Sequence, residues 1–197
     1  MKPYDRHYFQ RYYREPATLI DTPADLARRL RMLVGVAEAL LARPVERVLD
    51  VGCGEGRWRA PLRRLRPGVF YLGIDPSDWT VRRFGSRRNI RRGSFGNPGL
   101  TSRDGRFDLV ICSDVLHYVP AAEMDEGLEI LLPRMRGIAY FDVSTVEDRP
   151  EGDLDGWHPR RARWYRERLR RAGLIECGLQ IWASPPLASR LSALESR

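Results

Sequence analysis

Short apolar runs alternate with segments of helical spacing from residue 45 onward. The runs that we interpret as strands cover residues 46–51, 69–74, 89–91, 107–112, 137–143 and 174–183, of which 89–91 is the weakest. The segments with helical spacing cover residues 60–66, 77–84, 121–132 and 160–172. Because strands alternate with helices, we predict a doubly wound α/β fold, with a mostly parallel sheet of six or seven strands and helices on both faces.

The residues before the first strand predict a long helix. Thr22 stands at the N-cap position, Asp25 completes a capping box, and Pro44 ends the helical pattern. The apolar residues that we expect to face the sheet are Leu26, Leu30, Leu33, Val34, Ala37 and Leu41. We therefore divide the chain into an N-terminal helical segment (1–43), an α/β domain (44–184) and a tail (185–197).

A glycine-rich loop follows the first strand, in the stretch "VLDVGCGEGRW". Gly52, Gly54 and Gly56 permit a sharp turn and let the backbone approach a ligand closely. The dinucleotide fingerprint G-x-G-x-x-G needs a third glycine where this chain has Arg57, so the loop does not match that fingerprint. The spacing that does match is D-x-G-x-G-x-G, which begins at Asp50.

With this loop the chain resembles the class I S-adenosylmethionine-dependent methyltransferases. Their first motif is an acidic residue at the end of the first strand, followed by glycines at this spacing. The resemblance covers residues 46–144 in the right order along the chain. It implies a Rossmann-like methyltransferase domain, S-adenosyl-L-methionine as the cofactor, and cofactor-binding roles for Asp50, Gly52, Gly54 and Gly56.

The ends of the second and third strands supply further candidate cofactor contacts. Asp75, followed by Pro76, stands at the tip of the second strand, where a carboxylate can accept hydrogen bonds from both ribose hydroxyls. Dinucleotide enzymes use the same arrangement, so Asp75 indicates a nucleoside without choosing the cofactor. Ser77 is better placed to cap the next helix. The resemblance implies that Ser94 and Phe95 contact the adenine, although Ser94 replaces the acidic residue common there.

The fourth strand and its loop read "FDLVICSDVLHYVP". The resemblance implies that Ser113 and Asp114 lie beside the methionine end of the cofactor. His117 and its neighbour Tyr118 are candidate catalytic residues, because an imidazole that titrates near neutral pH can take a proton from the acceptor. In the alternative interpretation, His117 packs and hydrogen-bonds to order the loop.

The methyl acceptor is expected to meet the N-terminal segment and the loops after the fourth and fifth strands. Tyr4 and Tyr8 recur at helical spacing, and their stripe is either a lid over the cofactor or a surface that packs on the sheet. Trp157 and Arg160 are candidate substrate contacts, and His158 is a further candidate catalytic residue.

The loop after the fifth strand is acidic. Its acidic residues are Glu147, Asp148, Glu151, Asp153 and Asp155. A negative rim beside the methyl donor would repel phosphates and favour a neutral or cationic acceptor, such as an amine. The alternative is a solvated surface loop without a role in binding.

The net charge of +8 suggests an anionic partner, but all except one of the 34 basic residues are arginine. Such uniform usage is typical of a genome-wide codon preference, which weakens the inference. The arginine-rich helix at 160–172 also keeps an apolar face for packing on the sheet. The residues of that face are Ala162, Tyr165, Leu169 and Ala172.

We therefore expect an S-adenosylmethionine-dependent methyltransferase that acts on nitrogen or oxygen of a small molecule. Two alternatives stay open: an RNA or protein methyltransferase recruited by the arginine-rich surface, and a non-catalytic nucleotide-binding module. The residues Ser113 to Leu116 lack the N/D-P-P-Y/F tetrad of adenine and cytosine amino-methyltransferases. Nucleic acid is therefore not the favoured partner.

Cys53, Cys112 and Cys177 lie far apart without the spacing of metal ligands, so we predict reduced thiols and no metal site. The first ten residues lack the apolar run of a signal peptide, and no segment is apolar enough to cross a membrane. We expect a cytoplasmic protein. If 174–183 forms one last strand, the sheet keeps an open edge for the tail or a second subunit, as in a homodimer.

Overall fold

The computed structural model describes residues 4–15, 21–150 and 154–192, with the side chain of Tyr13 excepted. The strands are β1 Arg47–Val51, β2 Phe70–Asp75, β3 Ile90–Arg92, β4 Phe107–Ser113, β5 Met135–Asp142, β6 Ile175–Glu176 and β7 Ile181–Ala183. The α-helices are α1 Arg6–Arg14, α2 Pro23–Leu41, α3 Arg59–Leu65, α4 Asp78–Arg88, α5 Ala121–Leu131 and α6 Ala162–Arg171.

These strands form one seven-stranded sheet in the order β3-β2-β1-β4-β5-β7-β6. The strands β1 to β5 pair in parallel, and β7 runs antiparallel to both β5 and β6. The predicted doubly wound, mostly parallel sheet is confirmed. Its strand order reverses between β1 and β4, and in such sheets ligands bind in the crevice outside the carboxyl ends of the strands at that point.

The prediction of a single last strand over 174–183 was wrong. The stretch contains two short strands, β6 and β7, joined by a turn in which Gly178, Leu179 and Gln180 all have positive φ. Leu179 at the tip of this turn is 73% exposed, so the apolar run is not buried throughout. The tail begins with a 3₁₀ helix over Pro185–Arg190, whose Leu187 packs into the same core cluster as α2. It therefore covers a face of the sheet near β5, whereas the sheet edges are β3 and β6.

The long helix α2 begins as predicted. The Thr22 hydroxyl accepts a hydrogen bond from the Asp25 amide, and the Asp25 carboxylate accepts one from the Thr22 amide, which completes the capping box. Five of its six expected core residues are buried, but Leu41 is only half-buried. The helix ends at Leu41, and the next residue, Ala42, adopts the left-handed conformation two residues before Pro44.

The arginine-rich helix α6 packs one face on the sheet. Tyr165 and Leu169 are buried, and Gly173, with φ +91°, terminates the helix as predicted. The guanidinium groups of Arg160 and Arg168 lie 4.1 and 3.8 Å from the centre of the Trp164 ring. These arginines therefore pack on the helix itself. Among the described residues, no helix is both long and apolar enough to cross a membrane.

Candidate functional site

A cavity of about 750 Å³ opens at the carboxyl ends of β1, β2 and β4, the place that the strand order indicates. The sequence-predicted residues that line it are Tyr4, Tyr8, Asp50, Gly52, Gly54, Asp75, Pro76, Ser94, Phe95, Ser113, Asp114, Tyr118 and His158. The candidates that do not line it are Gly56, His117, Trp157 and Arg160. The loops after three neighbouring strands thus bring most of the candidate residues to one place.

The glycine loop is bound to the end of β2. The amides of Gly52 and Cys53 donate to the Ile74 carbonyl at 2.7 and 3.0 Å, and the Gly54 amide donates to Oδ2 of Asp75 at 2.7 Å. Gly52, Gly54 and Gly56 all have positive φ, from +51° to +71°, which explains why glycine occupies these positions. The loop therefore fixes the Asp75 carboxylate against the cavity wall.

Asp75 is buried and accepts a second hydrogen bond at Oδ1 from the Ser77 amide, at 2.9 Å. Burial raises the pKa of Asp75 to about 6, although the two backbone hydrogen bonds act in the opposite direction. Ser77 caps α4 through its hydroxyl, as expected, because that oxygen accepts from the Thr80 amide at 3.1 Å. Asp75 is therefore not required as the side-chain cap.

Asp50 lies at the end of β1 and is only 2% exposed. Its Oδ2 accepts a hydrogen bond from the Tyr71 hydroxyl at 2.6 Å. Burial raises the pKa of Asp50 to about 7, and the neighbouring charge of Asp75 raises it as well. In the described parts of the chain, neither carboxylate forms an ion pair with an arginine or histidine. The site thus contains two buried acids that no described arginine or histidine neutralises through an ion pair.

The loops after β3 and β4 form the rest of the inner wall. Phe95 is buried and packs edge-on against Phe141, with the ring centroids 6.4 Å apart. The Ser94 hydroxyl accepts a hydrogen bond from the Asn97 amide at 3.2 Å. The Ser113 hydroxyl donates to Oδ2 of Asp142 at 2.7 Å, which orients it at the end of β4. Asp114, which follows it, has a positive φ of +61°.

His117 is buried beside the cavity instead of facing it. Its Nδ1 accepts a hydrogen bond from the Ser144 amide at 3.3 Å, and its Nε2 lies 3.5 Å from Oδ1 of Asp114. The ring also packs edge-on against Tyr118, at 4.2 Å between centroids. These contacts favour the interpretation in which His117 orders the loop. Tyr118 itself lines the cavity.

The loop after β5 crosses the loop after β4. The His158 amide donates to the His117 carbonyl at 2.8 Å, which places the His158 side chain on the cavity wall. Arg160 donates to the Val119 carbonyl at 2.7 Å and stacks on Trp164, and Trp157 is half-buried. Arg160 therefore connects the two loops from outside the cavity, and Trp157 also lies outside the cavity lining.

Among the described acids of the loop after β5, two hold local structure and one lines the cavity. Glu147 accepts from the Ala162 amide at 3.0 Å at the start of α6, and Asp148 accepts from the Thr145 amide at 2.8 Å in a capping box. Both carboxylates thus hold local structure. Asp155 does line the cavity. Glu151 and Asp153 lie outside the described residues.

The helix α1 covers the cavity on the side of β2 and α4. Tyr4, which precedes the helix, and Tyr8 within it line the cavity, and their rings meet edge-on at 5.1 Å. Phe9 is buried and stacks on Trp79 of α4. The tyrosines of the predicted stripe thus face the cavity, whereas the neighbouring Phe9 packs on α4 and not on the sheet.

Sequence reasoning missed several residues of this site. Those that line the cavity are Asp21, Trp58, Trp79, Val119 and Glu123, and Tyr71 supports Asp50 from beneath the loop. None belongs to a motif with fixed spacing. Their positions depend on how the helices pack across the sheet, and no local signal in the sequence marks them.

A family model described as a methyltransferase domain matches residues 9–175. Among curated proteins, trans-aconitate 2-methyltransferase of Deinococcus radiodurans is 31% identical over 80 residues, 40% of this chain and 30% of that protein. The chain covers 20% and 30% of the lengths of the first two curated relatives that it matches.

Two solved structures share the fold. DesVI of Streptomyces venezuelae has a TM-score of 0.62 and 13% identity, over 82% of this chain and 92% of that one. A SAM-dependent methyltransferase of Archaeoglobus fulgidus has a TM-score of 0.60 and 16% identity, over 86% of this chain and 75% of that one. At these identities the likeness shows the fold alone.

Proposed function

This chain belongs to the methyltransferase-domain family, and on that premise we propose that it transfers a methyl group from S-adenosylmethionine to nitrogen or oxygen of a small molecule. The observation that carries the proposal is the pair of buried carboxylates, Asp50 and Asp75, beside the glycine loop. Buried charges in proteins are normally paired, so this pair favours a ligand that supplies cations and hydrogen-bond donors. S-adenosylmethionine has a sulfonium, an ammonium and two ribose hydroxyls.

A dinucleotide fits the same loop less well. In dinucleotide-binding domains the diphosphate lies at the glycine loop and the helix that follows it. Here Asp50 is buried directly before that loop, and its carboxylate would repel a diphosphate. The electrostatics therefore support the cofactor that the D-x-G-x-G-x-G spacing indicates.

We assign each part of the cofactor to the cavity residues whose chemistry suits it. Asp75 is the acceptor for the ribose hydroxyls, because two of its lone pairs already hold backbone amides and others remain. Pro76, Ser94 and Phe95 would hold the adenine. The groups that we propose to bind the cationic methionine end of the cofactor are Asp50, the backbone of the glycine loop, Ser113 and Asp114.

When bound, S-adenosylmethionine supplies a methyl group that is already activated by the sulfonium. The protein therefore needs mainly to align the acceptor and exclude water. Tyr4, just before α1, and Tyr8 of α1 line one side of the cavity and would help to exclude water from it. We propose His158 of the outer wall as the acceptor for a substrate proton, at an imidazole nitrogen, and Tyr118 as an acceptor only in its phenolate form.

The charge of the cavity favours a neutral or cationic acceptor. Eight acidic side chains and three arginines line it, although the chain as a whole carries a net charge of +8. Asp114, Glu123 and Asp155 are among the acids, so a phosphorylated acceptor would be repelled and an amine attracted. The arginines of α6 do not alter this picture, because several pair with Glu167 and Glu176.

The proposal is tested by incubating the protein with methyl-labelled S-adenosylmethionine and separate pools of amines, phenols, carboxylates and RNA. We expect label in the amine or phenol pool, and its loss in Asp75→Ala. Transfer confined to RNA would replace the small-molecule proposal with the alternative that the arginine-rich surface recruits RNA. Absence of transfer to every pool, together with absence of cofactor binding, would contradict the enzymatic proposal.

A further inference from the structure

Tyr71 is a buried tyrosine that belongs to β2 but reaches beneath the glycine loop. Side chains alternate along a strand, so Tyr71, Gly73 and Asp75 point to the same face of β2. In the parallel register of β1 and β2, Tyr71 pairs with Val48, and Gly73 pairs with Asp50. The phenol therefore runs alongside Gly73 toward the carboxylate of Asp50.

Two glycines leave the space that the phenol occupies. A Cβ on Gly73 would lie 3.2 Å from the Tyr71 hydroxyl and 2.6 Å from the Cys53 sulfur, and a Cβ on Gly56 would lie 3.3 Å from the same hydroxyl. Both positions are tighter than ordinary carbon contacts. The third glycine of the loop, Gly56, does not line the cavity. Its small size instead allows the hydroxyl to reach Asp50.

The Tyr71 hydroxyl is the side-chain donor that the described structure provides to Asp50, at 2.6 Å from Oδ2. The other titratable groups around Asp50 are Asp75 at the end of β2, Cys53 in the glycine loop and Cys112 on β4. Burial raises the pKa of both thiols, so they stay neutral, and Asp75 repels the ionised form of Asp50. Among these groups, only the Tyr71 hydroxyl stabilises the carboxylate charge.

We propose that Tyr71 is a positioning residue, whose hydroxyl holds the Asp50 carboxylate in the orientation and charge state that the cationic end of the cofactor requires. This inference rests on the proposed function for its ligand. The hydrogen bond is charge-assisted when Asp50 is ionised, which makes it one of the stronger kinds in a protein. Without it, Asp50 would keep its proton to a higher pH, and the amine or sulfonium would have less of its counter-charge near neutral pH.

The test is Tyr71→Phe, which keeps the ring and removes the hydroxyl. Binding of S-adenosylhomocysteine, which carries the cationic amine, is measured by calorimetry across pH. We expect about tenfold weaker binding near neutral pH and a difference of about threefold or less at high pH, where Asp50 ionises even without its donor. A merely structural loss would weaken binding equally at every pH, and an unchanged profile would also contradict the proposal.

A matched control is Tyr165→Phe, which removes the hydroxyl of another buried tyrosine, on α6 and away from the loop. We expect this variant to keep the wild-type pH profile. In the Asp50→Asn background, Tyr71→Phe should no longer shift the profile, because no carboxylate remains to be ionised. A persistent shift in that background would show that Tyr71 acts through another group.

A second measurement does not need the cofactor. The Asp50 carboxyl carbon is followed by NMR during a pH titration of the free protein, with Asp50→Asn to assign the signal. Tyr71→Phe should raise its titration midpoint by about one pH unit. If the midpoint rises but S-adenosylhomocysteine binds neither protein, the positioning role survives and the proposed function fails. If the midpoint is unchanged, the positioning role fails.

Discussion

The ring of Phe9 stacks on the ring of Trp79, with their centroids 5.1 Å apart and their planes inclined by 19°. This contact joins α1 to α4 beside the cavity. Two further contacts hold the same helix: the Ser77 hydroxyl donates to the Tyr4 carbonyl, and Arg14 pairs with Glu55 of the glycine loop at 2.7 Å. The position of α1 over the cavity thus depends on these three contacts.

Phe9→Ala should therefore release α1 from the cavity. Because the rest of the core does not include this helix, we expect local opening with little loss of global stability. Binding of S-adenosylhomocysteine should weaken by about tenfold, mainly through faster dissociation, which stopped-flow measurement can resolve. Arg11→Ala, at an exposed position of the same helix, is the control and should bind as the wild type does. Equal dissociation rates for Phe9→Ala and wild type would show that α1 is not a cover.

Asp50→Asn should stabilise the free protein and weaken cofactor binding. The pKa of Asp50 is raised by burial from 3.8 to about 7, so the folded state holds a proton that the unfolded state releases between these values. The free energy of unfolding of the wild type therefore falls as pH rises from about 4 to about 7. Asparagine removes this loss, which is on the order of a few kcal/mol.

Thermal melts of wild type and Asp50→Asn at several pH values measure this effect. The two melting temperatures should be similar near pH 4 and diverge as pH rises to 8, with Asp50→Asn the more stable at the upper end. A variant that is less stable than wild type at pH 8 would show that the carboxylate has a structural role in the absence of ligand.

Asp108 should show the opposite pH dependence. It is buried at the start of β4, where it accepts hydrogen bonds from Arg43, Arg136 and the amides of Glu46 and Arg47. The hydrogen bonds outweigh burial and lower its pKa, so its contribution to stability is present above its ordinary value of 3.8 and is lost as pH falls below it. Asp108→Asn should cost about 1–3 kcal/mol at neutral pH, because Arg43 and Arg136, each about one-third exposed, lose their buried carboxylate partner.

Chemical denaturation of Asp108→Asn and wild type at neutral and acidic pH checks this expectation. The difference in unfolding free energy should shrink as pH falls below about 4. Asp104→Asn would be a poor control, since Asp104 is also paired, with Arg91. Glu129→Gln is suitable, because that side chain is exposed on α5 and should change stability by about 0.5 kcal/mol or less. A pH-independent difference for Asp108→Asn would contradict the ion-network interpretation.

His117→Asn should lower stability without changing the chemistry. The substitution removes a buried ring that contacts Tyr118 and loses the fixed acceptor for the Ser144 amide, with an expected cost of about 1–3 kcal/mol. Methyl transfer, once an acceptor is found, should keep the pH profile of the wild type. His158→Asn is the comparison, because His158 lines the cavity. If the methyl-transfer rate no longer fell at acidic pH in His117→Asn, but still did so in His158→Asn, His117 would be identified as the base.

The fold could be predicted from short sequence motifs. Thr22 and Asp25, the glycine loop and the polar residue after each parallel strand all have fixed spacing, and these were confirmed as a cap, a turn and a shared sheet edge. The β6–β7 hairpin was missed although Gly178, in the middle of the run, is a turn signal that could have divided it into two strands. The capping box formed by Thr145 and Asp148 has a local signature, and it could have been recognised within the acidic loop.

The missed parts of the site depend on contacts between distant residues. Tyr71 has the sequence context of an ordinary core aromatic, and only the register of β1 and β2 places its hydroxyl on Asp50. Phe9 and Trp79 are 70 positions apart, and neither belongs to a motif. Packing across the sheet determines such pairs, and hydrophobic periodicity cannot specify them.

Thermal shift with S-adenosylhomocysteine and, separately, with NAD tests the central claim most directly. At a concentration of about 100 times its dissociation constant, the first ligand should stabilise the folded state by about 2.7 kcal/mol, or about 5–10 °C for a chain of this size. NAD should produce no shift, and Asp75→Ala should lose most of the shift that S-adenosylhomocysteine produces. Stabilisation by NAD without stabilisation by S-adenosylhomocysteine would contradict the assignment of the cofactor site.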